Sequence, residues 1–137
     1  MKYKIFDGLP DEAKLIRTTV FVEEQGFKEE FDTTDTIAKH IVIYDTDKPI
    51  AVGRYFTYDN DEFHIGRVAV LKEYRKFGYG RVIMDLIEED IKKNGAKRIV
   101  LSAQCRARGF YEKCGYTATG GIYLDEHCEH ILMIKEI

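Results

Sequence analysis

The sequence predicts a single α+β domain, residues 1–137, in which a mostly antiparallel sheet is flanked by helices. Three β-rich segments separated by turn residues follow one another, which is typical of an antiparallel meander. An amphipathic helical repeat comes next and leads into a further strand, as in a parallel crossover connection. The length of 137 residues fits one domain of ordinary size.

The first half of the chain predicts a helix followed by the meander. Residues 10–21 begin with Pro and Asp, which suit a first helical turn, and apolar side chains then recur at helical spacing. Strands are predicted at residues 40–44, 50–57 and 63–70, because these stretches are rich in β-branched and aromatic residues. The Asp, Asn and Pro residues between them are turn formers.

The second half predicts the order helix, strand, helix, strand, strand. An apolar stripe with a charged opposite face follows Gly80, and Asn94-Gly95 ends that helix. A strand at residues 97–103 and a short helix at 106–113 come next. Two closing strands are predicted, one around Tyr116 and one at residues 130–135. Because the predicted order begins with the helix at residues 10–21, the first predicted element of the whole chain is a helix.

Composition excludes several classes of partner. The 21 Lys and Arg against 24 Asp and Glu give a net charge of −3, so the basic excess of a nucleic-acid-binding protein is missing. We expect no membrane partner either, because the N-terminus lacks a signal core and no apolar run approaches about 18 residues. The 3 cysteines form no CxxC pair, which disfavours a disulfide framework or a zinc site. We therefore expect a cytoplasmic protein without a metal.

A glycine-rich turn between the third strand and the long helix carries the clearest chemical signal. Gly78 and Gly80 allow the backbone to approach an anion closely, and the helix N-terminus adds its partial positive charge. Arg75, Lys76 and Arg81 flank the glycines and supply cationic donors for a pyrophosphate. From the glycines alone, a plain strand-to-helix turn with solvated basic residues explains the pattern equally well. The P-loop pattern is missing, and Ile83 stands where a dinucleotide-binding GxGxxG needs its third glycine.

The turn resembles the signature of the GNAT superfamily of acyl-CoA N-acyltransferases, Q/R-x-x-G-x-G/A after a strand. Arg75, Gly78 and Gly80 match its fixed positions. Residues 103–104 with 110–116 resemble the helix that closes the cofactor site in that superfamily. Residues 17–25 with 32–35 and residues 130–133 resemble its ElaA-like branch. These motifs occur in the order found in the family, and together they span most of the chain.

The resemblance implies an acetyl-CoA-dependent N-acetyltransferase that moves the acetyl group directly to an amine. It implies a GNAT-like mixed sheet with a parallel strand pair splayed at the acyl-CoA site. It also implies a cofactor site on the strand end, the turn and the short helix: Val68, Ala69, Val70, Arg75, Lys76, Phe77, Gly78, Tyr79, Gly80, Arg81 and Phe110. Many members carry Gly where Lys76 stands, so we expect Lys76 not to adopt the strained backbone angles of a glycine.

The same resemblance suggests catalytic residues. Tyr111 is the candidate general acid, since a phenol with an ordinary pKa near 10 is protonated at neutral pH. Glu24 and His130 are alternative candidates for the general base. The competing interpretations are that Glu24 is a solvated surface acid and that His130 is a structural histidine. Cys105 is disfavoured as a covalent nucleophile, because the family transfers its acyl group directly.

The acceptor and the assembly are less constrained. The acidic segment from Glu23 to Asp35 suggests a small cationic amine as acceptor, although a solvated surface loop explains those charges equally well. A binding module that holds acyl-CoA without catalysis, and a nucleotide-phosphate binder of another fold, are the competing functions. The closing strand either forms a homodimer contact or is an edge left to solvent.

Overall fold

The computed structural model describes residues 2–137, which form a seven-stranded sheet with helices on both faces. The strands are β1 (Lys2–Asp7), β2 (Lys39–Asp45), β3 (Lys48–Asp59), β4 (Glu62–Val70), β5 (Arg98–Gln104), β6 (Thr117–Asp125) and β7 (Cys128–Glu136). The α-helices are α1 (Asp11–Arg17), α2 (Tyr79–Lys93) and α3 (Arg108–Lys113). The sheet order is β1-β2-β3-β4-β5-β7-β6, and in the described chain only β4 and β5 pair in parallel. The predicted mixed, mostly antiparallel α+β fold is confirmed.

Helix α2 covers one face of the sheet and forms the larger core. Its buried residues Ile83, Met84, Ile87 and Ile91 pack on apolar side chains of the central strands. Gly53 of β3 permits this close packing, since a Cβ there would lie 2.8 Å from side-chain carbons of both Ile83 and Ile87. The opposite face carries a second core under α1, around Ile16, Val42 and Val52.

Strand β1 is an addition to the predicted order, which began with a helix. It pairs antiparallel with β2, from Lys2 opposite Tyr44 to Asp7 opposite Lys39. Most of its side chains are exposed because it is an edge strand. Its alternation of polar and apolar residues covers only Lys2 to Ile5, which is too short to give a clear strand signal.

The predicted first helix changes character halfway along. Residues Asp11–Arg17 are α-helical, whereas Thr18–Glu24 form a π-helical segment with wider hydrogen bonds, such as Gln25 N–H to the Val20 carbonyl at 3.1 Å. The predicted helix at 106–113 divides into a 3₁₀ turn, Cys105–Ala107, followed by α3. No helix within residues 2–137 is both long and apolar enough to cross a membrane.

Candidate active site

Strands β4 and β5 separate after a short parallel pairing, and this separation creates the site. Only the segments from Glu62 to Ile65 and from Arg98 to Leu101 are paired. Further along, β4 carries a bulge against β3, because Ala69 pairs with Val52 but Gly66 pairs with Arg54. Bulges bend and twist a strand, so the remainder of β4 turns away from β5. The predicted splayed parallel pair is confirmed.

The splay opens into a cleft of about 850 Å³, which lies within the size range of small-molecule sites. A second pocket of about 380 Å³ lies against the glycine-rich turn. The two share Val70, Arg75, Gly80 and Phe110 in their walls, so they adjoin each other. Val68 and Ala69 line the larger part, and among the described strand pairs neither residue is paired with β5.

The turn has the geometry of an anion site. Gly78 takes a φ of +82° directly before α2, and Val82 N–H donates the first helical hydrogen bond to the Gly78 carbonyl at 3.1 Å. The amides of Tyr79, Gly80 and Arg81 therefore precede the first i to i−4 bond and are available to an acceptor at the helix N-terminus. The partial positive charge of that terminus favours a phosphate there.

Lys76 adopts the strained conformation that the sequence analysis expected it to avoid. Its φ is +71°, in the left-handed region that favours glycine. The expectation about this side chain is therefore wrong. The turn needs left-handed backbone at both Lys76 and Gly78, and the lysine tolerates it while its side chain lines the smaller pocket.

The arginines flanking the turn are engaged with the protein itself. Arg75 donates from both terminal nitrogens to the Glu24 carboxylate, each at 2.8 Å, and from Nε to the Val70 carbonyl at 3.0 Å. Arg81 donates to Asp85 at 3.1 Å and to the Lys113 carbonyl at 3.1 Å. Phe77 is 72% exposed, and the ring of Tyr79 lies edge-on to that of Tyr74. The backbone amides and Lys76 are thus the free donors at the turn.

Phe110 connects α3 to the turn. A Cβ on Gly80 would lie 3.2 Å from Phe110 Cζ, so the ring packs directly on the glycine backbone. This contact explains why a small residue is needed at position 80. It also places the next residue of α3, Tyr111, on the wall of the larger cleft.

Tyr111 has the environment of a proton donor. Its ring lies edge-on to Phe110 at 5.0 Å and to Tyr116 at 6.1 Å between centroids. Burial raises the pKa of the Tyr111 phenol above its usual range, so the hydroxyl stays protonated at neutral pH.

His130 and Glu24 differ in their availability as a base. His130 Nδ1 lies 3.0 Å from the Cys128 carbonyl, which can only accept, so Nδ1 carries the proton and Nε2 keeps a lone pair. His130 is buried on β7, where it stacks on Tyr123 and lines the larger cleft. The hydrogen bonds from Arg75 lower the pKa of the Glu24 carboxyl, so Glu24 is a weaker base than a glutamate without such a partner.

Comparison with known proteins identifies the family. Residues 10–137 match the family described as an acetyltransferase (GNAT) domain. A Bacillus subtilis (strain 168) protein named uncharacterized N-acetyltransferase YjcF is 36% identical over 128 residues, covering 91% of this chain and 91% of that protein. The chain belongs to the GNAT acetyltransferase family.

Solved structures agree with this assignment at the level of the fold. Escherichia coli ElaA superposes with a TM-score of 0.88 at 24% identity, covering 98% of this chain and 99% of ElaA. An aminoglycoside 6′-N-acetyltransferase complexed with coenzyme A has a TM-score of 0.74 at 18% identity, covering 99% and 97%. The predicted GNAT family is confirmed, and the fold of the chain is that of ElaA.

The GNAT acetyltransferase also contains a buried ionic cluster that the sequence analysis missed. Arg17 donates to Glu30 at 2.9 Å and to Asp35 at 2.7 Å, and Arg54 donates to Asp32 at 2.7 Å and to Asp35 at 3.0 Å. Arg67 of the β4 bulge lies 2.9 Å from Glu30. Much of the acidic segment is thus neutralised by arginine. The one sequence signal was Arg17, a charged residue within the apolar stripe of the first helix.

Cys105 is partly buried, and within residues 2–137 its thiol forms no hydrogen bond to a neighbouring base. The neighbouring Arg106 donates from Nε to the Gln104 side chain at 2.8 Å, and Gln104 in turn donates to Gln25 at 2.7 Å. This chain of polar side chains joins β5 to the end of the π-helical segment beside the cleft.

Proposed function

We propose that this GNAT acetyltransferase takes its acetyl group from acetyl-CoA and transfers it directly to a primary amine of a small-molecule acceptor in the cytoplasm. The observation that carries the proposal is the pair of adjoining cavities, which we call the channel, that extends from the glycine turn to the splay between β4 and β5. The coenzyme A in the aminoglycoside acetyltransferase structure, which has the same fold, supports the donor.

The residues of the channel fit acetyl-CoA in two ways. The amides at the start of α2 and the Lys76 ammonium suit a pyrophosphate. The free edge of β4 at Val68, Ala69 and Val70 suits an extended arm with amide groups, which can pair with it as a strand would. When bound, acetyl-CoA supplies a thioester whose carbon–sulfur bond breaks as the amine nitrogen bonds to the carbonyl carbon.

The side chains around the splay can handle the charges of such a transfer. A backbone N–H of β4 can donate to the thioester oxygen as negative charge develops there. His130 Nε2 can accept the proton that the amine loses, directly or through a water. The protonated Tyr111 hydroxyl can donate to the departing sulfur, which leaves CoA as the thiol.

The proposal is tested by release of free thiol from acetyl-CoA in the presence of a panel of primary amines, with mass spectrometry of the products. We expect amine-dependent thiol release and an acetylated amine. Thiol release that does not depend on amine, or no release with any amine, would refute it. A protein that binds acetyl-CoA tightly but never acetylates would be the binding module instead.

Donor binding is measured separately by thermal unfolding with acetyl-CoA, CoA and ATP. A ligand at about 100 times its Kd adds roughly 2.7 kcal/mol of stability, which raises the midpoint by several degrees. We expect this rise with acetyl-CoA and CoA and a smaller one with ATP, which lacks the pantetheine arm. Equal rises with all of them would indicate a general nucleotide site.

A further inference from the structure

The bulge of β4 is built around Arg67. Two residues of β4, Arg67 and Val68, lie opposite the single residue Gly53 of β3. Arg67 has a φ of +54°, in the left-handed region. Glycine is the usual residue at this position of such a bulge, because a Cβ disfavours the conformation. The backbone at Arg67 therefore needs support from other parts of the molecule.

The side chain of Arg67 provides this support by binding both the backbone and the carboxylate of Glu30. Its Nε and Nη2 donate to the Glu30 carbonyl at 3.3 and 3.0 Å, and Nε lies 2.9 Å from the Glu30 carboxylate. We call these contacts between Arg67 and Glu30 the bulge latch. Glu30 is itself buried and held by Arg17 of α1, which donates to its carboxylate at 2.9 Å and to its carbonyl at 3.2 Å. The latch is therefore anchored in the interior of the protein.

The bulge lies directly before the free edge of β4. The parallel pairing with β5 ends at Ile65, and residues 68–70, which line the larger cleft, follow Arg67. A bulge bends a strand and increases its twist, so the conformation at Arg67 sets the direction in which the N–H groups of residues 68–70 point. Because a β4 N–H is the proposed donor to the thioester oxygen, relaxation of the bulge would displace that donor.

Resting on the proposed function, we infer that Arg67 is a positioning residue for acetyl transfer, which acts through the bulge latch and touches neither acetyl-CoA nor the amine. Arg67 also lines the larger cleft, so a direct contact of its guanidinium with a substrate is the competing role. Glycine at position 67 distinguishes the two roles. It removes the guanidinium as alanine does, but it adopts the left-handed conformation without the steric cost of a Cβ.

Arg67→Ala and Arg67→Gly are compared by kcat at saturating acetyl-CoA and amine, and by the Kd for acetyl-CoA from calorimetry. We expect Arg67→Ala to lower kcat by about 10²-fold, because a displacement of about 1 Å at a reacting group has an effect of this size. Its Kd for acetyl-CoA should rise, since the edge of β4 is displaced as well. Arg67→Gly should recover about tenfold of the lost kcat, because the bulge keeps its backbone conformation. Arg67→Met, which keeps the Cβ and much of the side-chain volume, replaces Arg67→Ala if the alanine variant does not fold.

Thr46 provides the matched control. It also has a positive φ, of 55°, but it lies in the turn between β2 and β3 and lines neither cavity. Thr46→Ala and Thr46→Gly should both leave kcat and the Kd for acetyl-CoA unchanged. The amide signals of Ala69 and Val70 in a two-dimensional NMR spectrum of the unliganded protein give a readout without substrate. They should move in Arg67→Ala and lie closer to their wild-type positions in Arg67→Gly.

The outcomes separate this inference from the proposed function. A wild-type enzyme that acetylates an amine, with equal losses of kcat in Arg67→Ala and Arg67→Gly, would overturn the positioning role and leave the transferase intact. Unchanged kcat in Arg67→Ala would overturn it as well. A higher KM for the amine in both variants, with the Kd for acetyl-CoA unchanged, would mean that the guanidinium binds the acceptor directly and that the inference is wrong. A wild type that acetylates no amine would overturn the proposed function and this role together.

Discussion

At the scale of single residues, Lys76 stores backbone strain beside the proposed pyrophosphate site. A non-glycine residue in the left-handed region costs roughly 1–2 kcal/mol, whereas glycine adopts it freely but loses about 0.5–1 kcal/mol of extra entropy on folding. We therefore expect Lys76→Gly to stabilise the unliganded protein by about 0.5–1 kcal/mol, measured by urea unfolding.

A helical position provides the control for this prediction. Lys93→Gly removes the same side chain from the last turn of α2, where glycine is unfavourable, and should destabilise the protein by up to about 1 kcal/mol. If both substitutions destabilise equally, Lys76 is not strained. Loss of the ammonium should also raise KM for acetyl-CoA in Lys76→Gly, independently of stability.

Tyr111 gives a second prediction at this scale. Tyr111→Phe keeps the ring and its contacts with Phe110 and Tyr116 but removes the proton donor. We expect kcat to fall by about 10²-fold, a typical general-acid contribution, while the thermal shift with acetyl-CoA is retained. Tyr3→Phe is the matched control, since Tyr3 is exposed on the edge strand β1 and lines neither pocket. Unchanged turnover in Tyr111→Phe would remove this residue from the mechanism.

Local patterns made some functional residues predictable and left others hidden. Gly78 and Gly80 could be found because a turn into a helix has a short, local signature. The close packing of Phe110 on Gly80 and the pairing of Arg75 with Glu24 could not, because each joins residues distant in sequence. Arg17 pairs with carboxylates 13 and 18 residues away, in a segment whose charges suggested either a cationic acceptor or a solvated surface loop.

At the scale of elements, the Glu24–Arg75 pair joins the end of the π-helical segment to the glycine-rich turn. Arg75 also fixes the Val70 carbonyl at the end of β4. This geometry makes Glu24 a positioning residue that acts through Arg75. We expect Glu24→Gln to raise KM for acetyl-CoA several-fold with a smaller change in kcat.

The pH dependence separates positioning from base catalysis. Arg75 lowers the pKa of the Glu24 carboxyl, so the ion pair is intact above the ordinary pKa of glutamate and is lost only as pH falls through the lower folded value. At neutral and alkaline pH, the pH dependence of kcat should therefore have the same shape in wild type and Glu24→Gln. A fall in kcat of about 10²-fold with loss of a titration would instead identify Glu24 as the base.

The elements themselves were predictable where burial imposes a period. The central strands and α2 are buried on a defined face, and each was predicted to within a few residues. Strand β1 and the π-helical segment were not, because the first is an exposed edge and the second keeps apolar residues at nearly helical spacing.

At the scale of the whole molecule, the buried ionic cluster ties α1, β3, the β4 bulge and the acidic segment together. Burial raises the pKa of Asp35, but hydrogen bonds from Arg17, Asp32 and Arg54 outweigh it and hold that pKa at about 2. Burial raises the pKa of Glu30 despite its arginine neighbours. Removing one arginine leaves a carboxylate buried without its full set of partners, which is costly.

Arg17→Met tests this cluster, because the methionine keeps much of the side-chain volume and removes the charge. We expect a loss of about 3–5 kcal/mol at pH 7, measured by chemical unfolding. Arg108→Met is the control, since its pair with Glu112 is about half exposed, and it should cost less than about 1 kcal/mol.

The folded Asp35 pKa is depressed in wild type, so its contribution is present above the unfolded value of 3.8 and is lost as pH falls toward about 2. Without Arg17 that pKa rises, so Asp35 of the variant protonates at higher pH, and the difference in stability between wild type and variant should shrink as pH falls from about 4 toward about 2. A difference that is constant over that range would mean that Arg17 stabilises the fold through packing alone.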